Sequence, residues 1–415
     1  MIIIKLTFWS ISIFIVIIII ICFLSFFSIS VLSAFFQPRV LYQSELYCKV
    51  ISATGEYDRV RFSTLDEPAE IFLSVVVPAF NEKLRLSKML QETIEFLSRF
   101  KTHQKWEILI VDDGSTDNTF EYSIEWALSK SKTLLLKQGE IRVCALKKNR
   151  GKGGAVTHGM IHSRGEYIIF ADADGASKFS DLRYLLKEIK RIEKNGYGIA
   201  IGSRSHMVSN NIILKRSKIR SFMMYAFHKY LWFMGIRHIK DTQCGFKLFT
   251  RKAALIIFSN IHVEKWIFDI EILILAEILL IPVIEVPITW HEVSGSKLSL
   301  ISDSLRMAID LLVIRLSYKF GLWKIKKKSL NIPSDISDSL SIISSDTDRE
   351  WQESLNQLNM LMYWVLIPFI GKWAGRRFAY FLWKQYARIK TPIESSAKGQ
   401  SISILARLLR IMSLY

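Results

Sequence analysis

Four cysteines, Cys22, Cys48, Cys144 and Cys244, are spread through 415 residues, and no two fall at metal-ligand spacing. That scarcity gives no sign of a disulfide framework or a zinc site, and it favours a reducing, cytosolic setting for the main domain. His158, His206, His228 and His291 do not cluster at ligand spacing either, so they read as surface or packing residues, with only His206, beside Arg204, placed to touch a phosphate. No internal repeat is present. Residues 6–38 carry no charge at all, and no acid interrupts residues 204–220.

The uncharged N-terminal stretch is a signal in itself. Residues 8–21 are almost wholly Ile, Val and Phe, and a helix of about 20 apolar residues crosses a bilayer. Residues 1–38 are therefore read as a transmembrane signal anchor. A cleaved signal peptide is the alternative; the run is longer than the apolar core of about 7–15 residues usual in such peptides and lacks a small-x-small exit. Lys5 on one flank and Arg39 with Lys49 on the other leave the orientation open. Over the whole chain Lys and Arg total 56 against 38 Asp and Glu, a net charge of +18. Such an excess suits nucleic acid, anionic headgroups or phosphorylated substrates, and composition does not choose among them. No nucleic-acid-binding motif occurs and the basic residues lie beside membrane-like aromatics, which ranks nucleic acid last.

Residues 39–70 read as a polar connector. From there short Val- and Ile-rich runs alternate with amphipathic stretches: strands at 72–77, 107–111, 141–145, 167–170 and 198–201, and helices at 83–100, 119–129, 154–163 and 180–193. This alternation predicts an α/β domain over 71–323, a mainly parallel sheet with helices on both faces. In such sheets ligands collect beyond the carboxyl ends of the strands.

Past residue 201 the character changes. Arg204, Lys215, Arg216, Lys218 and Arg220 precede an aromatic run at 222–234, and residues 302–323 combine Leu305, Ile309, Leu312, Val313 and Leu316 with Arg306, Arg315 and Lys319. Both stretches suit a membrane interface; for 302–323 an ordinary core helix with a solvated face is an equal alternative. Residues 324–350 are read as a flexible linker rich in Ser and Asp. Residues 351–415 form a basic amphipathic C-terminal extension, in which Lys372, Arg376, Arg377, Lys384, Arg388 and Lys390 alternate with Trp373, Phe378, Tyr380 and Trp383. An interfacial element is favoured there over a second span.

The chemistry gathers at predicted strand ends. Tyr167-Ile-Ile-Phe-Ala-Asp-Ala-Asp174 ends in two acids one residue apart, and side chains at i and i+2 of an extended chain project to one side. Asp172 and Asp174 thus suit a hard divalent cation holding a diphosphate; taken alone, a solvated turn fits as well. Ser74-Val-Val-Val-Pro-Ala-Phe-Asn-Glu82 and Val111-Asp-Asp-Gly-Ser-Thr-Asp-Asn-Thr119 end the first two strands. An aromatic ring beside a carboxylate, here Phe80 and Asp113, offers a stacking surface and an acceptor for a base N–H. Lys147-Lys-Asn-Arg-Gly-Lys-Gly-Gly-Ala155 leads into a helix, where glycines and N-terminal N–H groups admit a phosphate and Arg150 and Lys152 add charge. It lacks the Walker A spacing and its terminal Lys-Ser/Thr.

These segments resemble the family 2 glycosyltransferases, over roughly residues 72–323. Further along, Ile201-Gly-Ser-Arg-Ser-His206, Arg216-Ser-Lys-Ile-Arg220, Asp241-Thr-Gln-Cys-Gly-Phe-Lys-Leu-Phe249, Trp266-Ile-Phe-Asp-Ile-Glu271 and Gly295-Ser-Lys297 are similar to the dolichyl-phosphate β-glucosyltransferases. The resemblance implies a GT-A-like fold and inverting transfer of glucose from UDP-glucose to dolichyl phosphate, for protein N-glycosylation, at the cytosolic face of the endoplasmic reticulum membrane. By motif position it implies that Pro78, Ala79, Phe80, Glu82, Asp113, Lys152 and Asp172 bind the nucleotide sugar, and that Asp172 and Asp174 hold Mg2+ or Mn2+. Arg204, Arg216 and Arg220 are the candidates for gripping the acceptor phosphate, and Asp241 and Asp269 for catalytic residues that orient the sugar or the acceptor. Phe80 stands where relatives often carry Tyr, so stacking survives without a phenol hydrogen bond. Asp269 and Glu271 are alternatively structural caps or ion-pair members.

A polyprenyl-phosphate mannosyltransferase using GDP-mannose shares the early motifs, but its equivalent of residues 241–247 reads differently. A processive polysaccharide synthase is disfavoured by the missing Gln-x-x-Arg-Trp motif. A catalytically silent scaffold binding anionic membrane lipid conflicts with the acids at 172, 174, 241 and 269. Nothing in the pattern sets an oligomeric state.

Overall fold

Val75 and Val77 join one apolar cluster and Val76 the other, and all three are fully buried, as the strict period of two in an extended chain requires when both faces of a sheet are covered. The computed structural model describes residues 42–51, 56–99, 104–208, 239–293 and 300–325, with Lys229, Tyr230, Lys372, Arg376 and Tyr380 singly. The named elements all fall within the unit Met1–Ser341; of the second unit, Ile342–Tyr415, only the last three single residues are described. The anchor at 1–38, Arg216, Arg220, Gly295 to Lys297, and nearly all of 222–234, 324–350 and 351–415 lie outside the described residues.

Among the described residues, nine strands form one sheet in the order β2-β1-β5-β4-β3-β6-β8-β7-β9. They are β1 Tyr47–Ile51, β2 Tyr57–Arg61, β3 Ile71–Ala79, β4 Trp106–Asp112, β5 Ile141–Ala145, β6 Gly165–Ala171, β7 Ile199–Ser203, β8 Phe246–Thr250 and β9 Val283–Pro287. Among the described residues the α-helices of eight residues or more are α1 Leu86–Arg99, α2 Thr119–Ser131, α3 Lys152–Ile161, α4 Leu182–Ile192, α5 Arg251–Phe258, α6 Phe268–Ile278 and α7 Leu300–Lys319. Leu86, Leu90 and Ile94 of α1 and Leu182, Leu185 and Ile189 of α4 pack on one face; Ala155, Val156 and Met160 of α3 join α5 and α6 on the other.

The five strands expected from the sequence are present with their helices, but the sheet is mixed rather than mainly parallel. β3, β4, β5 and β6 run parallel, as do β7 and β9. β8 runs antiparallel to both β6 and β7, and β1 antiparallel to β5 and β2. The cause at β8 is where it starts: Phe246 pairs with Ala171, the last residue of β6, so the strand enters at the end where β6 leaves. The stretch 39–70, read as a connector, supplies β1 and β2, a hairpin that extends the sheet.

At the amino ends of the strands the fully buried Glu107 accepts hydrogen bonds from Ser74 Oγ at 2.6 Å, Arg164 Nε at 2.8 Å and Arg142 Nη1 at 3.0 Å. Burial works to raise this carboxyl, and the two guanidiniums outweigh it, holding it below the usual range. Helix α7 packs one face into the core, as the core-helix alternative for residues 302–323 expects. Leu311, Val313 and Ile314 are buried, while Ile309 and Leu312 are exposed. Among the described residues no helix is long and apolar enough to cross a membrane.

Candidate active site

The loops after β3 and β4 interlock through their short polar side chains. Asp113 N donates to Ala79 O at 2.8 Å, Asn81 N to Ser115 Oγ at 2.8 Å, Glu82 N to Thr119 Oγ1 at 2.9 Å, and Thr116 N returns to Asn81 Oδ1 at 2.8 Å. Asn81 adopts φ +54°, a left-handed conformation that Asn tolerates better than most residues. Pro78 and Ala79 end β3 beside Val111 and Asp112, which presents Phe80, 36% exposed, next to the Asp113 turn. Glu82 faces Arg85, whose Nε and Nη2 reach its two carboxylate oxygens at 2.7 and 2.5 Å. Arg85 also feels the field of Asp174 and Asp172 and is raised, its bond to Glu82 being the chief cause. It is a site residue that the sequence reading missed, for an Arg opening an amphipathic helix looks like any solvated one.

Asp113 ties the second loop to the third. Its Oδ1 accepts from Arg150 N at 2.7 Å and its Oδ2 from Gly151 N at 2.8 Å. Gly151 holds φ +88°, and a Cβ there would sit 2.9 Å from Glu264 O, so the turn demands glycine twice over. Burial pushes the Asp113 carboxyl up to about 7, against the pull of those two N–H donors, with Asp112 and Glu264 adding repulsion. A carboxylate accepts about four hydrogen bonds, so two N–H donors leave capacity for a base N–H. Arg150, expected to add charge to a phosphate loop, instead turns its side chain to Glu45 at 2.5 Å.

The third loop meets the fourth at Lys152, whose Nζ lies 2.6 Å from Asp172 Oδ1. Burial works against the Lys152 ammonium, and Asp172 and then Asp269 outweigh it, so its pKa is raised. Asp174 is raised by burial and by Asp172, while its Oδ1 accepts from Ala176 N at 3.0 Å. Asp172 N donates to Gly245 O at 3.1 Å, and Gly245 backs directly onto the Asp172 carboxylate. Five positions of the run Asp241 to Phe249 are thus accounted for: Gly245 makes room, Cys244 and Phe246 are core, and Asp241 and Lys247 each hold a partner.

Those partners move two roles. Asp241 accepts from Arg204 Nε at 2.7 Å, Nη2 at 2.8 Å and its backbone N at 2.9 Å. Burial works to raise the Asp241 carboxyl, and Arg204 more than offsets it. Arg204 keeps two N–H donors on Nη1 that Asp241 does not use, and its guanidinium lies 5.4 Å from the Trp290 ring centroid. Asp269 is 3% exposed, with Oδ1 2.5 Å from Nζ of the fully buried Lys247. Burial pushes its carboxyl up against the opposing charges of Lys247 and Lys152. Glu271 is structural: its carboxylate takes the backbone N–H groups of His262 and Val263 at 2.8–3.0 Å and the Tyr318 hydroxyl at 2.7 Å.

Among the described residues no group of three or more His, Cys, Asp or Glu could enclose a metal ion. Two neighbouring carboxylates, with Asp172 raising the proton affinity of Asp174, still fit an ion of the Mg2+ type, which takes one or two protein carboxylates and completes its shell with phosphate oxygens and water.

Residues 74–256 match Glycosyl transferase family 2. The dolichyl-phosphate beta-glucosyltransferase of Saccharomyces cerevisiae is 48% identical over 301 residues, 70% of this chain and 89% of the yeast protein. The chain belongs to the dolichyl-phosphate β-glucosyltransferase family. The Dictyostelium discoideum member is 46% identical, covering 62% of this chain and 77% of its own, and the Homo sapiens member 41%, covering 67% and 84%. The mixed sheet with helices on both faces is the GT-A-like scaffold expected of a family 2 glycosyltransferase. Outside the family's span, residues 345–389 match Mitochondrial import 2.

Proposed function

We propose that this chain transfers glucose from UDP-glucose to dolichyl phosphate, with inversion, giving dolichyl β-D-glucosyl phosphate. The observation that carries the reading is the convergence of five loops into one hydrogen-bonded series, from Ala79 through Asp113, Gly151 and Lys152 to Asp172 and Gly245. Phe80 and Asp113 take the uracil, with Pro78 and Ala79 shaping the pocket. Asp172, Asp174, Lys152 and Arg85 surround the diphosphate, and Glu82 aims Arg85. A bound Mg2+ or Mn2+ would neutralise charge on the departing UDP.

The acceptor phosphate is already anionic near neutral pH, with a second pKa around 6, so no strong general base is required. Arg204 offers Nη1 to it while Asp241 fixes the guanidinium plane. Arg216 and Arg220 complete the grip. Attack in line on the anomeric carbon converts an α-linked donor to a β-linked product. The exposed apolar residues of α7 and the uncharged stretch at 6–38 support attachment to a membrane, and the family resemblance supports the endoplasmic reticulum with the catalytic domain toward the cytosol.

The test is to incubate membranes carrying the chain with labelled UDP-glucose or GDP-mannose plus dolichyl phosphate and extract the lipid. Label from UDP-glucose alone is expected, and Asp174→Ala abolishes it while membrane attachment persists. Label from GDP-mannose alone rejects the reading. A second reading concerns address only: the match of residues 345–389 to Mitochondrial import 2 favours a mitochondrial membrane. Fractionating cells that carry the full chain or residues 1–341 separates the two addresses.

A further inference from the structure

Glu45 precedes the catalytic sheet, in a short 3-10 turn at Gln43–Leu46, yet it is fully buried. Its Oε1 accepts from Lys147 N at 2.9 Å; its Oε2 accepts from Tyr42 N at 3.1 Å and from Arg150 Nη2 at 2.5 Å. Both ends of the 147–150 loop are therefore tied to one carboxylate. Lys147 adds a cation–π contact, its Nζ 4.6 Å from the Tyr42 ring centroid. On the other side the same loop gives Arg150 N and Gly151 N to Asp113, and Asn149 Nδ2 donates to Asp113 O at 3.1 Å. The loop is thus clamped between Glu45 and Asp113. Cys48 and Val50 of the adjoining β1 sit in the same core cluster as Val111 and Cys144, which fixes the turn carrying Glu45 against the sheet.

We infer that Glu45 is a positioning residue for the donor nucleotide: by holding Lys147 N and the Arg150 side chain, it sets the two N–H donors that orient Asp113 toward the base. This rests on the reading that Asp113 faces the uracil. Glu45 touches no substrate itself. Through it, the segment between the long uncharged stretch and the first core strand becomes part of the nucleotide pocket, although it lies 68 residues before Asp113 in sequence.

The test uses the full chain in membranes or detergent, with UDP binding measured by calorimetry and transfer kinetics measured on dolichyl phosphate. Glu45→Gln keeps an acceptor for Lys147 N but removes the carboxylate charge that meets the buried Arg150 guanidinium. It is expected to weaken UDP binding and raise KM for UDP-glucose by about ten-fold, while KM for dolichyl phosphate stays within about two-fold. Glu45→Gln with Arg150→Met removes the buried guanidinium as well, so it reports if the single variant fails to fold. The double variant is expected to regain thermal stability and keep the UDP defect, because the Arg150 side chain no longer anchors the loop to position 45. A folded variant of either kind that binds UDP as tightly as the parent overturns the inference. Failure of the parent chain to bind UDP at all overturns the underlying reading instead.

Discussion

A Cβ placed on Gly245 would stand 2.0 Å from Oδ2 of Asp172, well inside any permitted contact. Alanine at 245 must therefore push away the carboxylate that Lys152 holds, while the β6–β8 pairing just beyond it can survive. Displacements of about 1 Å at a reacting centre cost roughly 100-fold in rate. Gly245→Ala is expected to lower lipid glucosylation by about that factor with little change in the melting temperature, measured on the same preparation.

Asp113 sets the acid limb of nucleotide binding. Its carboxyl is pushed from the ordinary 3.8 up to about 7 by burial, with Asp112 and Glu264 adding to the shift and the N–H groups of Arg150 and Gly151 opposing it. Only the anion accepts a base N–H without competing for a proton, so UDP affinity should fall as pH drops through about 7. In Asp113→Asn that acid limb should disappear, at the cost of weaker binding at high pH. Calorimetric titration of UDP from pH 5.5 to 8.5, about 1.5 units either side of the midpoint, reads both.

Lys247 and Asp269 are a buried pair, and breaking it strands a charge. Lys247→Met should cost about 3–5 kcal/mol, seen as a drop in melting temperature of roughly 10 °C. Lys247→Met with Asp269→Leu should recover most of that loss, since replacing both members of a buried pair by apolar residues is often neutral. Thermal melts of the two variants decide it.

Arg204→Lys keeps the charge and loses the fork that engages Asp241 through two nitrogens. The expected result is an increase of about ten-fold in KM for dolichyl phosphate with UDP binding unchanged. Equal losses in both would remove Arg204 from the acceptor side.

The parts of this site that were legible in the sequence are those where local pattern and chemistry coincide. Strands of Val and Ile announced β3, β4 and β6, and the acids at their ends announced Asp113, Asp172 and Asp174. What the sequence hid was partnership. Asp241 and Asp269 read as acids that orient the sugar or the acceptor, with an ion-pair role left open for Asp269, yet each is committed to a cation, Arg204 or Lys247, that sequence spacing does not pair with it. Glu45 and Arg150 are separated by about a hundred residues, and no periodicity joins them. The β1–β2 hairpin was hidden because Tyr57–Arg61 is exposed throughout and carries none of the apolar alternation of a half-buried strand. The direction of β8 depends on where the chain re-enters the sheet, which strand propensity does not encode.

That outermost strand has a consequence of its own. β2 ends the sheet with Asp58, Arg59 and Arg61 turned to solvent, and Arg59 lies 4.2 Å from the Tyr47 ring centroid. An open row of backbone donors and acceptors ordinarily invites a neighbouring chain to pair with it, and fixed charges along the row make that association costly. Crowded side by side, copies of this protein therefore resist stitching into aggregates along β2.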